Sequence, residues 1–291
     1  MPRAHMMEGS SGKQIASAHA IGLVTFHLVA LAAVIATQPL WGDLLIAAMA
    51  YLVQIFGITA GYHRLFTHQS YTASPGFSLF IALAGNAAGE GPVKRWVANH
   101  WLHHRWTETE KDPHSPVAQG FWHAHMGWLL DASKFDQAIA EARRFRFRKS
   151  VEWVDRHSNS LFFSQILILG LLHWIGHLIS PFSFSGPPTG LLWSFFVAVP
   201  LGLHATFAVN SVCHLWGYEN VKTENQSRNH PIVALLTLGE GWHSNHHLFP
   251  HSARHGLKIW EVDLTYFLLR SAETLGWVSD LKKADLELPR T

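Results

Sequence analysis

From His157 to Tyr218 the sequence holds no Asp, Glu, Lys or Arg, and between Lys13 and Arg64 its only charged residue is Asp43. Runs this long without charge cannot supply the solvated face that a helix in a water-soluble core keeps. They suit a bilayer, whose hydrocarbon layer takes about 20 consecutive apolar residues per helix. The first region predicts two spans, 18–37 and 44–62, turned at Gln38, Pro39 and Gly42. The second predicts two more, 161–179 and 191–210, joined by the Pro-, Gly- and Ser-rich stretch Ser180–Gly190. Charged residues make up 14% of the chain, against about 25% in ordinary soluble domains. That composition excludes a disordered chain, and a net charge of +2 excludes a nucleic-acid partner.

The basic residues set the expected orientation. All 22 Lys and Arg lie in the N-terminal tail, in 64–156 or after Glu219, and neither turn between paired spans carries one. By the positive-inside rule both termini and the long middle segment face the cytoplasm. The expected fold is thus an all-α membrane protein with four transmembrane helices and a cytoplasmic helical cap, 63–160 and 211–291. Residues 18–291 form a single integral-membrane domain. Residues 1–17, with their His-Met and Gly-Ser-Ser-Gly pieces, read as a disordered tail, in part a cloning remnant, without the features of a signal peptide. Two apolar stretches, 75–89 and 232–239, are too short to span and are expected to re-enter the bilayer or lie on it. The basic, aromatic segment 137–156 reads either as an interfacial helix on anionic headgroups or as a solvated helix face.

The single cysteine, Cys213, excludes an internal disulfide and a cysteine-held metal cluster. The 22 histidines point elsewhere. They gather in His63-Arg-Leu-Phe-Thr-His68, His100-Trp-Leu-His103-His104 and His243-Ser-Asn-His246-His247, with Asn210-Ser-Val-Cys-His214 between the second and third. All sit at cytoplasmic ends of the predicted spans. In the two H-x-x-H-H runs the imidazoles fall at i, i+3 and i+4, on one side of a helix. Asn210 and His214 are four apart and point together. His63 and His68 are five apart and converge only where the helix end unwinds or bends. Imidazole suits Fe, Cu, Zn and Ni, and nine histidines exceed what one ion takes but fit two. The neutral ligands leave such a centre cationic, which suits activation of dioxygen, and the paired Glu-x-x-His motifs of soluble diiron bundles are absent. His19, His27, His173 and His177, alone on spans, read as hydrogen-bonded structural residues, while His204, one turn before Asn210, stands open between the two roles. Asp112, Glu240 and Asn245, beside the boxes, are candidates to orient the ligands or are simply solvated. Trp96, Trp101, Trp106, Phe207 and Trp242 are candidates to shape a substrate cavity or to sit in an interfacial aromatic belt.

With these residues in view, the sequence resembles the membrane-bound fatty acid desaturases, most of all the acyl-CoA Δ9 (stearoyl-CoA) group. The likeness rests on Gly-Tyr-His-Arg-Leu-Phe-Thr-His at 61–68, His-His-Arg-Trp at 103–106 and Asp-Pro-His at 112–114. It continues with Gly-Trp-Leu-Leu at 127–130, Asn-Ser-Val-Cys-His at 210–214 and Gly-Glu-Gly-Trp-His-Ser-Asn-His-His at 239–247. It implies two irons with nine histidine ligands, His63, His68, His100, His103, His104, His214, His243, His246 and His247. It further implies a metal-bound water on Asn210 and a bent acyl tunnel lined by Trp96 and Thr206. Two departures concern the carrier. Where animal members have an Arg-Lys pair after Gly-Trp-Leu-Leu, this chain has Asp131-Ala-Ser-Lys134, and Asn99 and Trp101 replace an Asp and an Arg.

The implied reaction removes two hydrogens from adjacent methylenes of a saturated acyl chain and reduces O2, the co-substrate, to water. Side-chain acid–base chemistry does not break such C–H bonds, so the metal carries the hard step and the protein fixes the chain in a dry tunnel. The expected substrate is a fatty acyl thioester, CoA first, or an acyl lipid. Two electrons come from a separate donor, a ferredoxin, rubredoxin or cytochrome b5, because this chain carries neither a cysteine set nor a fused cytochrome b5 motif. Short tails and the lack of a fused donor point to a bacterial inner membrane rather than the endoplasmic reticulum. A fatty acid or alkane hydroxylase, or a related diiron membrane oxygenase, is the alternative. A metal transporter would place ligands in mid-membrane, and a metal sensor gives no reason for repeated boxes.

Overall fold

The computed structural model describes residues 3–284, with side chains from Ala16 onward, so residues 285–291 of the expected cap lie outside the described part. Helix α1 (Arg3–Ala36) begins upstream of the predicted first span. No proline interrupts the chain between Pro2 and Pro39, and the helix continues through Gly9 and Gly12, whose cost is about 1 kcal/mol each. Helix α2 (Trp41–Phe56) passes without a break into a π-helix, Gly57–Thr67. The cap then carries β1 (Thr72–Ala73), α3 (Pro75–Ala87), α4 (Val93–Trp106), α5 (Pro116–Gln119), α6 (Phe121–His125), α7 (Ala132–Ala142) and α8 (Lys149–Arg156). Helix α9 (Ser158–Ile179) and the run α10 (Pro187–Leu191), Leu192–Val197 and α11 (Ala198–Ser211) form the second long pair. Helices α12 (Pro231–Leu236), α13 (His243–Leu248) and α14 (Leu264–Thr274), with β2 (Val278–Ser279), complete the cap. The only sheet among the described residues is the antiparallel pair of β1 with β2.

Four helical stretches are long and apolar enough to cross a membrane: Ala16–Ala36, Trp41–Thr67, Ser158–Ile179 and Pro187–His214. The second and fourth have 27 and 28 residues, about 40 Å at 1.5 Å per residue, against a hydrocarbon layer of about 30 Å. Each therefore overshoots by roughly two turns, and those turns carry His63, Asn210 and His214 into the cap. They are also the inner pair: half of the fourth stretch is buried, against 11% of the first and third.

The far ends of the spans are tied by polar groups. Asp43 is wholly buried, with Oδ1 3.0 Å from His173 Nδ1 and Oδ2 accepting from the Leu40 and Ser185 N–H groups. His173 Nε2 lies 3.1 Å from Ser194 Oγ, which donates to Gly190 O. Gly190 is required there, since a Cβ would stand 2.1 Å from the His173 ring. At the cap end an apolar core of Ile58, Tyr62, Ile81, Val97, Val154 and Leu269 locks the end of the second span to α3, α4, α8 and α14.

Candidate dimetal centre

The π-helix resolves the awkward spacing of the first box. His68 N–H donates to His63 O across five residues, at 3.1 Å. That wider turn brings the two rings to 4.8 Å, where a regular helix would splay them. The widened segment is pressed against α3: a Cβ on Gly57 would sit 2.1 Å from Gly85 N.

The other boxes are shared between two clusters. His63, His68, His100, His104 and His246 form one, and His103, His214, His243 and His247 the other. On α4, His100 and His104 join the first cluster and His103 the second. On α13, His246 joins the first, and His243 and His247 the second. At about 100° per residue, i and i+4 lie some 40° apart and i+3 stands on their other flank, so one box serves two centres side by side.

Within each cluster the Nε2 atoms converge. His63–His246 is 3.1 Å, His68–His100 2.9 Å, His100–His104 3.0 Å and His104–His246 3.0 Å. In the second cluster His103–His247 is 3.2 Å, and His214–His243 and His243–His247 are each 3.0 Å. Hydrogen bonds cannot account for this. A ring nitrogen has one in-plane position, a proton or a lone pair, yet His100, His104, His246, His243 and His247 each face two other Nε2 atoms. A shared cation satisfies them all: bonds of about 2.0–2.1 Å to imidazole nitrogens at right angles separate neighbouring nitrogens by roughly 2.9 Å. The donor set thus fits a pair of first-row metal ions. Burial, reinforced by the neighbouring imidazoles, holds His68, His100, His104, His243, His246 and His247 well below the usual histidine range. They are neutral, with lone pairs available, at physiological pH.

Carboxylates set the opposite edges of several rings. Asp112 Oδ2 is 2.9 Å from His103 Nδ1 and Glu240 Oε2 is 2.6 Å from His63 Nδ1. Asp112 accepts the hydrogen bond of the His103 Nδ1–H and leaves Nε2 bare, while Glu240, which accepts from Arg64 through Oε1, stands beside His63 as a close negative charge. Burial alone would raise both carboxyls, but His103 and His114 hold Asp112 well below the usual carboxylate range, and His63, His255 and Arg64 do so for Glu240. Asn245 makes no hydrogen bond to a cluster ring among the described residues. It bonds Asn220, Asn229, Glu261 and the His255 carbonyl, and so fixes the start of α13. Asn210 is half-buried, one turn before His214, with no hydrogen-bond partner for its side chain among the described residues.

Trp96 stacks on His100 at 5.2 Å and donates its indole N–H to Glu90 Oε2 at 2.6 Å. Thr206 Oγ1 donates to Gly202 O. Burial pushes the Glu90 carboxyl up to about 7, against the opposing effect of the Trp96 hydrogen bond. Phe207 is buried against His125, His204 and Trp128. Trp242 instead holds the loop beyond the third box, donating to Val262 O and meeting Trp260.

Several residues here escaped the sequence reading. Arg64, between two ligand candidates, is wholly buried and bonds Glu240, Asp263 and the Ala253 carbonyl. His255 packs its ring 4.7 Å from His246. Glu108, four residues beyond His104, has a positive φ of 65° and reaches to 4.0 Å of His214 Nδ1. His125 was also missed; it joins His204, left open by the sequence, to Ser211 (2.9 Å each), and His204 in turn meets His27 (2.8 Å), in keeping with a structural role for His27. Only Arg64 and Glu108 carried a sequence signal, in their place beside a box.

Long apolar helices under a cap that converges nine histidines on two points define an integral-membrane protein with a histidine-rich site suited to a metal pair. The fatty acid desaturase family profile matches residues 20–267, and the chain belongs to that family. It is 39% identical over 234 residues to a probable chloroplastic lipid desaturase of Arabidopsis thaliana, covering 80% of this chain and 62% of that relative's length. It is 35% identical to an icosanoyl-CoA 5-desaturase of Limnanthes douglasii, over 91% of this chain and 71% of the relative. It is 34% identical to an sn-1 stearoyl-lipid 9-desaturase of Anabaena variabilis, over 95% and 97%.

Proposed function

We propose that this chain desaturates a saturated fatty acyl chain, with two irons held by His63, His68, His100, His104 and His246 on one side and His103, His214, His243 and His247 on the other. The observation that carries this is the convergence of Nε2 atoms at 2.9–3.2 Å in a family of acyl desaturases. Bound iron supplies the O2 chemistry that breaks unactivated C–H bonds. The protein's own part is to keep the imidazoles neutral, to fix the His103 tautomer through Asp112, to set the Glu240 carboxylate beside His63, and to hold an acyl chain beside Trp96 and Thr206. Asn210 is assigned a metal-bound water. The domain is taken as 18–291, with both termini and the cap on the cytoplasmic side, a reading supported by the placement of Lys and Arg. A bacterial inner membrane is the proposed location, and electrons come from a separate donor protein.

An acyl-CoA desaturated at Δ9 is the first substrate to assay. One observation favours an acyl lipid instead. Asp131 caps α7 and accepts from Ser133, and Lys134 donates to the Glu110 and Asp112 carbonyls. Residues 131–134 thus offer no free cation to a CoA phosphate. Relatives of both kinds exist, acting on CoA esters and on lipids.

The test is the lipid and fatty-acid profile of host cells expressing the chain with a competent donor, double bonds located by mass spectrometry, and His103→Ala as control. New monoenes with the wild type alone are expected, and their position and carrier follow from the same sample. Oxygenated acyl chains in place of monoenes would establish the hydroxylase alternative.

A further inference from the structure

His251, just beyond α13, is exposed, yet its Nδ1–H donates to the main-chain carbonyl of His68 at 2.9 Å and its ring meets the His68 ring edge-on at 6.4 Å. A solvent-facing imidazole is thus bonded directly to a residue of the five-histidine cluster. The strip around it is knitted together: Ala253 N–H donates to Lys282 O, and Lys282 N–H donates to Ser70 O. Beside this strip opens a cavity of about 470 Å³, lined among others by Gln69, Tyr71, Arg146, Phe147, Arg148 and Lys282. Arg146, Arg148 and Lys282 are exposed, and none is ion-paired to a carboxylate among the described residues. Asp280 is the one acidic residue on the lining. A rim of three exposed cations against one carboxylate, around a partly aromatic hollow, suits an acidic protein surface.

We infer that this face docks the electron donor, an acidic one-electron redox protein, and that electrons enter through His251 to His68. The inference rests on the proposed desaturation, R–CH2–CH2–R′ + O2 + 2 e⁻ + 2 H⁺ → R–CH=CH–R′ + 2 H2O, which draws two electrons from outside. Each docking oxidises one donor by one electron and reduces the metal pair by one, so a turnover takes two dockings. Electron tunnelling weakens steeply through empty space and less through bonds. The His251 ring, its hydrogen bond and the His68 main chain and ring make a continuous bonded route from the surface.

The test uses the full-length, iron-loaded protein in nanodiscs with ferredoxin, rubredoxin and cytochrome b5 as probes. Binding is measured at low and moderate salt, and reduction of the iron by stopped-flow absorbance. The triple variant Arg146→Glu, Arg148→Glu, Lys282→Glu is expected to weaken binding of the competent donor by about tenfold or more at low salt and to flatten its salt dependence. Lys222→Glu, at an exposed cation of another loop, is expected to leave binding unchanged. His251→Phe is expected to bind as the wild type and to be reduced by the donor about tenfold more slowly, with reduction by dithionite unaltered. Wild-type binding by the triple variant, an equal loss in Lys222→Glu, or wild-type failure with all three donors overturns the docking face. Wild-type reduction of His251→Phe overturns the entry point. Intact docking and reduction without any monoene product would overturn the desaturase reading alone.

Discussion

At the ends of the spans away from the cap, His173 is fully enclosed and both its nitrogens have a partner, Asp43 on one side and Ser194 on the other. In the cap, nine histidines are buried or nearly so, and their Nε2 atoms face only each other. The residue type and burial are the same; what differs is whether the partner count closes. Around His173 it closes within the chain, and the imidazole is a tie between helices. In the cap it closes only with a cation. Counting partners on each ring nitrogen therefore separates a structural histidine from a ligand where sequence position does not.

The largest effect should come from removing one cap imidazole. His246→Ala, whose Nε2 meets both His63 and His104, should lose at least one of two irons by elemental analysis and lower product formation by a factor of 100 or more. Full iron content in this variant would break the contrast. Next, Asp43→Ala should leave a buried histidine without its partner and cost about 3 kcal/mol of stability, seen as a lower Tm in detergent. The folded fraction should keep two irons per chain, and loss of iron in step with unfolding would show that the two regions are not independent. Asp112→Asn should weaken iron binding by about 10–100-fold in a chelator competition, with Tm little changed.

The smallest effect concerns a buried carboxyl that belongs to neither histidine set. The Glu90 pKa is raised by burial to about 7, so between the ordinary carboxyl value and 7 the folded state holds a proton that the unfolded state has released. Its contribution to stability is full below that window and is lost as pH rises through 7. Glu90→Gln should flatten the pH dependence of Tm between about pH 5 and 8. An unchanged slope would assign the dependence to another group.

The four apolar stretches were legible because missing charge is a property of composition and survives any error of a few residues at the boundaries. The nine clustered histidines were legible because repeated boxes are local. Their division into two centres was not, since it depends on how α4 and α13 face each other across 140 residues of chain. Convergence of His63 with His68 was readable only as a condition, because the widening into a π-helix follows from packing of Gly57 against Gly85. The roles of His255 and the His27–His204–His125 chain are set by partners far away in sequence, which no spacing announces.

The π-helical stretch Gly57–Thr67 also fixes how this region tolerates change in length. A turn that spans five residues stores one residue more than the regular helix on either side. Deleting a single residue between Gly57 and Tyr62 would let the widened turns close to an ordinary helix, in which His63 and His68, still five residues apart, stand about 140° apart and their rings separate. Inserting one would have no such relaxed form to fall into. Chain length here is a coding variable in its own right, separate from the identity of any side chain.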